Sequence, residues 1–329
     1  MTDILILSAG TRNKVVEAFK NIQDENVRVT ATDASSLAPA LYAADAAYVV
    51  PRIDAPDYID RILDICDRER IRGICSLIDP ELSLIARNRE RFVEAGATPV
   101  VSSYELCEAS LDKVRMAEIF KEHGLKTARE YLTWDAFVSA RAAGDPATAY
   151  PVFVKPRHGS ASIGINHISD DSLLRAVMDT DPDMMIQECM HGQEYGADVY
   201  IDMLSGRCTH IFLKKKLKMR AGETDKSVSV KLPALFDVIM DFVEEVGFRG
   251  VIDIDLFHDE AQDTWYFSEV NPRFGGGYPH AYACGVDIPS AIVRNIHGVE
   301  NRVQIGEYEE GVCMMKYNEC CIRREAELA

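Results

Sequence analysis

Two short runs near the C-terminal end constrain the fold of this chain more than any other feature: Asp253-Ile254-Asp255-Leu256-Phe257, and Phe267-Ser268-Glu269-Val270-Asn271-Pro272-Arg273-Phe274. Polar residues alternate with apolar ones in both. Asp253 and Asp255 therefore share one face of a strand, and Glu269 and Asn271 share one face of the next. A hairpin across Asp259 to Asp263 brings the two faces together. Hard divalent cations take carboxylate and amide oxygens, and Mg²⁺ commonly completes its octahedron with waters and substrate phosphates. One Asp, one Glu and one Asn fit that demand. Solvated polar residues on half-buried strands are the plainer reading, but such strands rarely end in a rigid Asn271-Pro272-Arg273 followed by Gly275-Gly276-Gly277.

With 329 residues and 47% hydrophobic content, the chain buries a large core and divides into two or three domains. Its net charge of −17 argues against nucleic acid or a membrane as the main partner, because both need a concentrated positive face. Any polyanion has to be met by a local basic pocket. Thr2-Asp3-Ile4-Leu5-Ile6-Leu7 lacks the charge and apolar length of a signal peptide, and no apolar run reaches the roughly 18 residues of a membrane span, so a cytoplasmic location is expected. Nine cysteines lie singly except for Cys320-Cys321, which indicates neither a disulfide framework nor a zinc site.

The first hundred residues alternate strand and helix patterns. Strands are expected at Ile4–Ser8, Val27–Thr32, Gly73–Leu77 and Thr98–Val101, with helices from about Asn13, Pro56 and Pro80. That alternation predicts a doubly wound parallel layer. Gly10 stands alone at the first strand-to-helix turn, where a pyrophosphate-binding turn needs several glycines, so NAD and FAD are not expected there. Asp33 then reads as a turn or cap residue, or as a contact to a small substrate.

A second unit starts near Leu106, with a helix from Leu111-Asp112-Lys113 to about Glu122 and another from Asp135 to Ala143. Pro151 to Pro156 is a short strand that delivers Lys155 beside the small-residue loop His158-Gly159-Ser160-Ala161-Ser162-Ile163-Gly164. Backbone N–H groups of such a loop can approach phosphate oxygens while the lysine supplies charge. A glycine loop by itself is more often a plain hairpin. Met184 to Met190 reads as a buried strand leading to Glu194; Glu188 and Glu194 are, by spacing alone, equally well nucleotide contacts or solvated turn residues.

Taken in order, Lys113, Val154-Lys155-Pro156 with its glycine loop, Gln187-Glu188, Gly192-Gln193-Glu194-Tyr195, Asp255 and Glu269-Val270-Asn271-Pro272-Arg273 resemble the ATP-grasp superfamily, over nearly everything up to about Gly298. Within it the chain is most similar to single-copy proteins related to the large chain of carbamoyl phosphate synthetase and to amino-acid (carboxylate-amine) ligases. It has neither the tandem repeat of that large chain nor a glutaminase segment or biotin-carrying domain, which argues against full carbamoyl phosphate synthesis. The resemblance implies a fold of α/β and α+β character, an N-terminal doubly wound parallel α/β (pre-ATP-grasp) domain followed by a two-lobed ATP-grasp fold. The segments implied are 1–105 for the first domain, 106–190 for the small lobe with its glycine-rich lid, 191–298 for the large lobe with the metal site and 299–329 for an extension. That extension is expected to complete a sheet or an oligomer contact, such as a homodimer.

Carried onto matching positions, the resemblance implies that Lys113 and Lys155 contact ATP phosphates and that Gly159, Ser160 and Gly164 belong to the lid. Glu188 with the backbone of Cys189 and Met190 would hold adenine, Glu194 ribose, and Asp255, Glu269 and Asn271 the Mg²⁺, with Mn²⁺ as the alternative ion. Asp253 has no fixed role and is expected to orient the ligands. Alternation in Lys214-Lys215-Lys216-Leu217-Lys218 aims Lys216 toward the nucleotide together with Lys214 and Lys218, and Arg220 to Ser227 resembles a mobile loop that closes over phosphates and acceptor. Arg273, with Lys155 and Arg220, is the implied catalytic set, its donor fork suited to an acyl phosphate or a carboxylate. His280 is read as structural, with proton removal as the lesser alternative.

The expected function is an ATP- and Mg²⁺-dependent carboxylate–amine ligase that joins an amino acid or small carboxylic acid to an amine through an acyl phosphate. The alternatives are a kinase or carboxyl-phosphate-forming synthase, and a non-catalytic ATP-binding sensor or assembly subunit.

Overall fold

A computed structural model of the chain describes residues 1–159 and 166–328. Strands β1 (Thr2–Leu7), β2 (Val27–Asp33), β3 (Ala46–Val49), β4 (Gly73–Ser76) and β5 (Thr98–Pro99) form a parallel sheet in the order β3-β2-β1-β4-β5. Helices α1 (Asn13–Lys20), α2 (Tyr58–Glu69), α3 (Asp79–Arg87) and α4 (Arg89–Glu94) lie between them. β1 is buried along almost its whole length, as a central parallel strand covered on both faces must be. α2 buries Tyr58, Ile59, Ile62, Ile65 and Cys66, one stripe at helical spacing, and ends where Arg70 turns left-handed at φ 55°. β3 was not expected from sequence; it is a four-residue edge strand, none of it fully buried, so it lacks a hydrophobic signature.

Two short helices, α5 (Tyr104–Leu111) and α6 (Lys113–Glu122), lead to a four-stranded antiparallel sheet of β6 (Glu130–Tyr131), β7 (Val152–Pro156), β8 (Asn166–Ile168) and β9 (Met184–Glu188), flanked by α7 (Trp134–Ala142) and α8 (Asp171–Met178). Tyr131, Phe137, Val152, Val154, Leu174 and Ile186 make its separate small core. The remaining strands are β10 (Gln193–Ile201), β11 (Cys208–Arg220), β12 (Glu223–Val230), β13 (Gly250–Asp259), β14 (Thr264–Asn271) and β15 (Cys313–Met315). They form an antiparallel sheet in the order β14-β13-β10-β11-β12-β15, with α9 (Pro233–Val246), α10 (Tyr278–Ala283) and α11 (Ile288–Ile296) alongside.

Helix α9 starts on Pro233, buries Leu235, Phe236, Ile239, Phe242 and Val243, and stops at Gly247 with φ 88°. Phe242 and Phe120 of α6 meet with ring centroids 5.1 Å apart, and Phe120 also lies 5.4 Å from Phe267 of β14. Each such buried ring contributes about 1.5–3 kcal/mol of transfer free energy. One apolar core runs from Ile4, Ile6 and Val29 of the parallel sheet through to Phe242 and Val270 beneath the large sheet, so these two layers are packed into one body.

Candidate active site

The hairpin of β13 and β14 pairs Asp253 with Asn271 and Asp255 with Glu269 in register, as the alternation predicted. Asp255 lies beside Lys216 of β11, whose ammonium donates to Asp255 at 2.6 Å and to Glu194 of β10 at 2.7 Å. Burial works against the charge of Lys216, but Asp255, Glu194 and Asp253 outweigh it and hold the ammonium above its ordinary range. Glu194 is pushed up, first by burial, with Lys216 opposing. Glu269 makes no hydrogen bond or ion pair with a described residue, and burial followed by the neighbouring Asp255 pushes its carboxyl up. The Asn271 side chain is buried, also without a hydrogen-bond partner among the described residues. Two oxygen donors without partners among the described residues, beside a second carboxylate, are what a hard cation requires. Among the described residues no group of three or more His, Cys, Asp and Glu is placed to hold a metal, consistent with a set in which Asn supplies one ligand.

Asp112 arranges the phosphate side. It caps α6 by accepting from the N–H groups of Val114 and Arg115 and also accepts from Arg157 at 2.8 Å, locking the start of α6 to the end of β7. Lys113 is thereby held where its ammonium donates to the Gly159 carbonyl at 2.7 Å. Lys155, on β7, is 9% exposed and has no ion pair or hydrogen bond from its ammonium to a described residue. Burial lowers its pKa and Lys113 adds to that, while Glu269 and Glu130 oppose. Ser160 and Gly164 lie outside the described residues. Glu188 accepts from the Arg129 N–H at 3.1 Å, and beyond it the backbone groups of Cys189 and Met190 carry no hydrogen bond to a described residue.

The basic run resolves by strand alternation. Lys214 and Lys216 are buried, Lys215 is half-buried and Lys218 is exposed. Lys214 has no exposure; its ammonium pairs closely with Asp198 and lies 3.7 Å from Asp253. It shares the strand face of Lys216, both side chains lying against Gly196, but its charge is taken up by these carboxylates. Arg220 to Ser227 is not a loop. Arg220 ends β11, Ala221 and Gly222 form a two-residue turn with φ of 51° and 76°, and Glu223 begins β12. Arg220 pairs with Asp225 at 3.1 Å and is half exposed. His280 is structural: Nδ1 meets Ser227 Oγ at 2.8 Å and Nε2 the Val312 carbonyl at 3.0 Å.

Burial, and then Lys214, push His280 down to about 4 from 6.5. The unfolded chain therefore binds a proton below 6.5 that the folded chain refuses until about 4, so stability is complete above this window and is lost as pH falls through it. Urea midpoints measured at pH 7, 5.5 and 4.5 should fall more steeply for the wild type than for His280→Gln.

Arg273 was singled out from sequence, but its partner Asp79 and the residues Arg12 and Lys316 were not. Arg273, 11% exposed, pairs with Asp79 at 3.1 Å and lies 3.8 Å from Asp253. Its burial is outweighed by Asp79, Asp253 and Glu269, which keep the guanidinium charged. Arg12 pairs with Glu223 at 2.9 Å, and Lys316 takes the other oxygen of that carboxylate at 2.9 Å. Arg12 and Asp79 follow β1 and β4, the strands between which the order of the parallel sheet reverses, where α/β layers place their ligands. That rule, applied to the expected strands, would have found both. Asp33 accepts from the N–H groups of Gly10 and Ser35, each at 2.9 Å, and is a cap.

Residues 4–101 match the family model "PylC-like, N-terminal domain", and residues 180–320 match "ATP-grasp in the biosynthetic pathway with Ter operon". A D-alanine–D-alanine ligase of Pseudomonas entomophila is 25% identical over 197 residues, 56% of this chain and 61% of that protein. One from Kineococcus radiotolerans is 28% identical over 238 residues, 62% of this chain and 63% of that protein. The chain thus spans about three fifths of the length of these curated relatives. Among solved structures, N5-carboxyaminoimidazole synthetase from Staphylococcus aureus superposes with TM-score 0.70 at 14% identity, covering 92% of this chain and 79% of that one. The L-amino acid ligase from Bacillus licheniformis gives 0.67 at 18%, covering 90% and 74%. The biotin carboxylase domain of the Hydrogenobacter thermophilus 2-oxoglutarate carboxylase, in complex with MgADP, gives 0.72 at 18%, covering 94% and 73%. No helix among the described residues is long and apolar enough to cross a membrane. With a parallel α/β layer, a small antiparallel lobe and a large antiparallel sheet carrying Asp255, Glu269 and Asn271 in register, the chain has the ATP-grasp fold, and its residues 180–320 are similar to an ATP-grasp family.

Proposed function

We propose that this protein is an ATP-dependent carboxylate–amine ligase. The observation that carries the reading is the pair of oxygen ligands without partners among the described residues, Glu269 and Asn271, set beside Asp255, with Glu269 within the electrostatic reach of Lys155. Asp255, Glu269 and Asn271 would hold Mg²⁺, and Lys113 and Lys155 the phosphates of ATP. The backbone groups of Cys189 and Met190, without hydrogen bonds to described residues, would meet the adenine edge, with Glu188 beside them and Glu194 at the ribose. When bound, Mg²⁺-ATP supplies a γ-phosphoryl group that turns a carboxylate into an acyl phosphate with release of ADP, after which an amine displaces phosphate. Lys155, desolvated and without a partner among the described residues, is preset to stabilise negative charge developing on the transferred group. Arg273 offers its remaining donors to the substrate carboxylate or the acyl phosphate. Arg220, at the hairpin tip, would contact the acceptor side from a strand.

The relatives named above include ligases that act on amino acids, which supports this reading. The test is ADP release by the purified protein with Mg²⁺-ATP across single and paired amino acids, carboxylic acids and amines, with mass spectrometry of active mixtures. A condensed product with ADP is expected. A stable phosphorylated product would replace the ligase with a kinase, and tight ATP binding without ADP in any mixture would leave a nucleotide sensor.

A further inference from the structure

Three cations and three anions meet where the parallel layer faces the end of β14. Arg12 and Asp79 come from the turns after β1 and β4, Glu223 from the tip of the β11–β12 hairpin, and Asp253 and Arg273 from the metal hairpin and its exit. Lys316 comes from the chain beyond β15. Arg12 lies within electrostatic range of Glu223, Arg273, Asp253 and Asp79 together. The group sums to zero charge. It is also incompletely paired: Asp79 is 6% exposed, and while its Oδ2 receives Arg273, its buried Oδ1 has no hydrogen-bond partner among the described residues. An unpartnered carboxylate oxygen at that depth is costly unless a ligand donor reaches it.

The backbone runs in direct contact with these carboxylates. A side chain at Gly275 would put its Cβ 2.5 Å from the Asp253 carboxyl carbon, and one at Gly276 would put it 2.8 Å from that of Glu223. The glycines therefore lie flat against the carboxylates and project nothing between the two layers. Ser8, the first residue after β1, holds φ at 48°, a left-handed conformation that non-glycine residues rarely adopt and that often marks functional turns.

We propose that this charged cluster binds one of the two condensing substrates as a zwitterionic α-amino acid, its ammonium donating to Asp79 Oδ1 and its carboxylate received by Arg12 in exchange for Glu223. The proposal rests on the ligase reading and names its substrate class. A phosphorylated amine or a dicarboxylate would bring excess negative charge beside Asp79, Asp253 and Glu223, and a simple amine would leave Arg12 without a new partner. A zwitterion satisfies both ends at once.

The test is calorimetric titration of the full-length protein, held with Mg²⁺ and a non-hydrolysable ATP analogue. The probes are the proteinogenic amino acids in both enantiomeric forms, their amides, their N-acetyl derivatives and O-phosphoethanolamine. At least one free amino acid should bind, with its amide and its N-acetyl derivative at least tenfold weaker. Asp79→Asn and Arg12→Gln should each weaken that amino acid tenfold or more and leave affinity for the ATP analogue unchanged. Arg12 is partly exposed, so its variant keeps the test informative if Asp79→Asn fails to fold. Binding of O-phosphoethanolamine alone, binding of no probe, or amino-acid binding indifferent to the variant that folds would overturn the proposal. ADP release only with substrates that are not zwitterions would sink it and leave the ligase standing. Amino-acid binding through Arg12 and Asp79 without ADP release in any mixture would do the reverse.

Discussion

Replacing Glu269 with Gln is expected to lower ADP-producing turnover by about 10²-fold or more, the scale seen when a single preorganised electrostatic group is removed from an active site. Glu269 has no hydrogen bond or ion pair among the described residues, and its charge is opposed by burial and by Asp255. Neutralising it relieves repulsion and removes nothing structural. Folding stability should therefore hold or rise slightly while catalysis collapses. Steady-state ADP release beside a urea melt separates the two effects. A variant that turns over normally would remove Glu269 from the metal set; one that loses activity only because it unfolds would show the residue to be structural.

Lys214→Ala should instead act on stability. Lys214 and Asp198 are each 1% exposed at the side chain, and Asp253 shares the same ammonium. Taking the lysine away leaves a carboxylate buried without its counter-ion, which costs about 3–5 kcal/mol. The Asp198 carboxyl, already pushed up to about 6 by burial with Lys214 opposing, should then protonate on folding. The loss should therefore be smaller at pH 5 than at pH 8. Fluorescence of Trp265, on β14 of the same sheet, reports the urea transition. The double variant Lys214→Met with Asp198→Leu should recover most of the loss, because an apolar pair of similar volume needs no compensation. No recovery would mean that the lysine acts through Asp253 instead.

Which parts of this were readable from sequence follows from how local each signal is. The pairing of Asp255 with Glu269 and the burial of Lys216 follow from a period of two and a short hairpin, all within one strand or two adjacent ones. Lys113, Lys155 and Glu194 were placed by resemblance; Lys113 and Lys155 lie within electrostatic reach of Glu269, and Glu194 shares the Lys216 ammonium with Asp255. The pairing of Arg273 with Asp79 spans 194 positions, and that of Arg12 with Glu223 joins the first turn of the chain to a hairpin in another layer. No pattern within a strand or helix encodes such contacts; only the switch-point rule points toward them. The segment from Arg220 to Ser227 misled for a different reason. Its small polar composition suggested a mobile loop, whereas Ala221 and Gly222 take the positive φ of a tight two-residue turn, and the flanking residues pair from Arg220–Glu223 onward.

The cap made by Asp33 bears on how this layer can be re-engineered. Its topology is one that elsewhere hosts dinucleotides, and the obvious route to a nicotinamide site would be to add the missing glycines around Gly10. The acid that would have to reach a ribose is already committed, with one oxygen to Gly10 and the other to Ser35. Recruiting it would strand two backbone donors at a cost of about 1–3 kcal/mol for each one that water cannot reach. A redesign would therefore have to begin with new anchors for those two turns and only afterwards with glycines, because a shared strand order does not make the turns at its ends interchangeable.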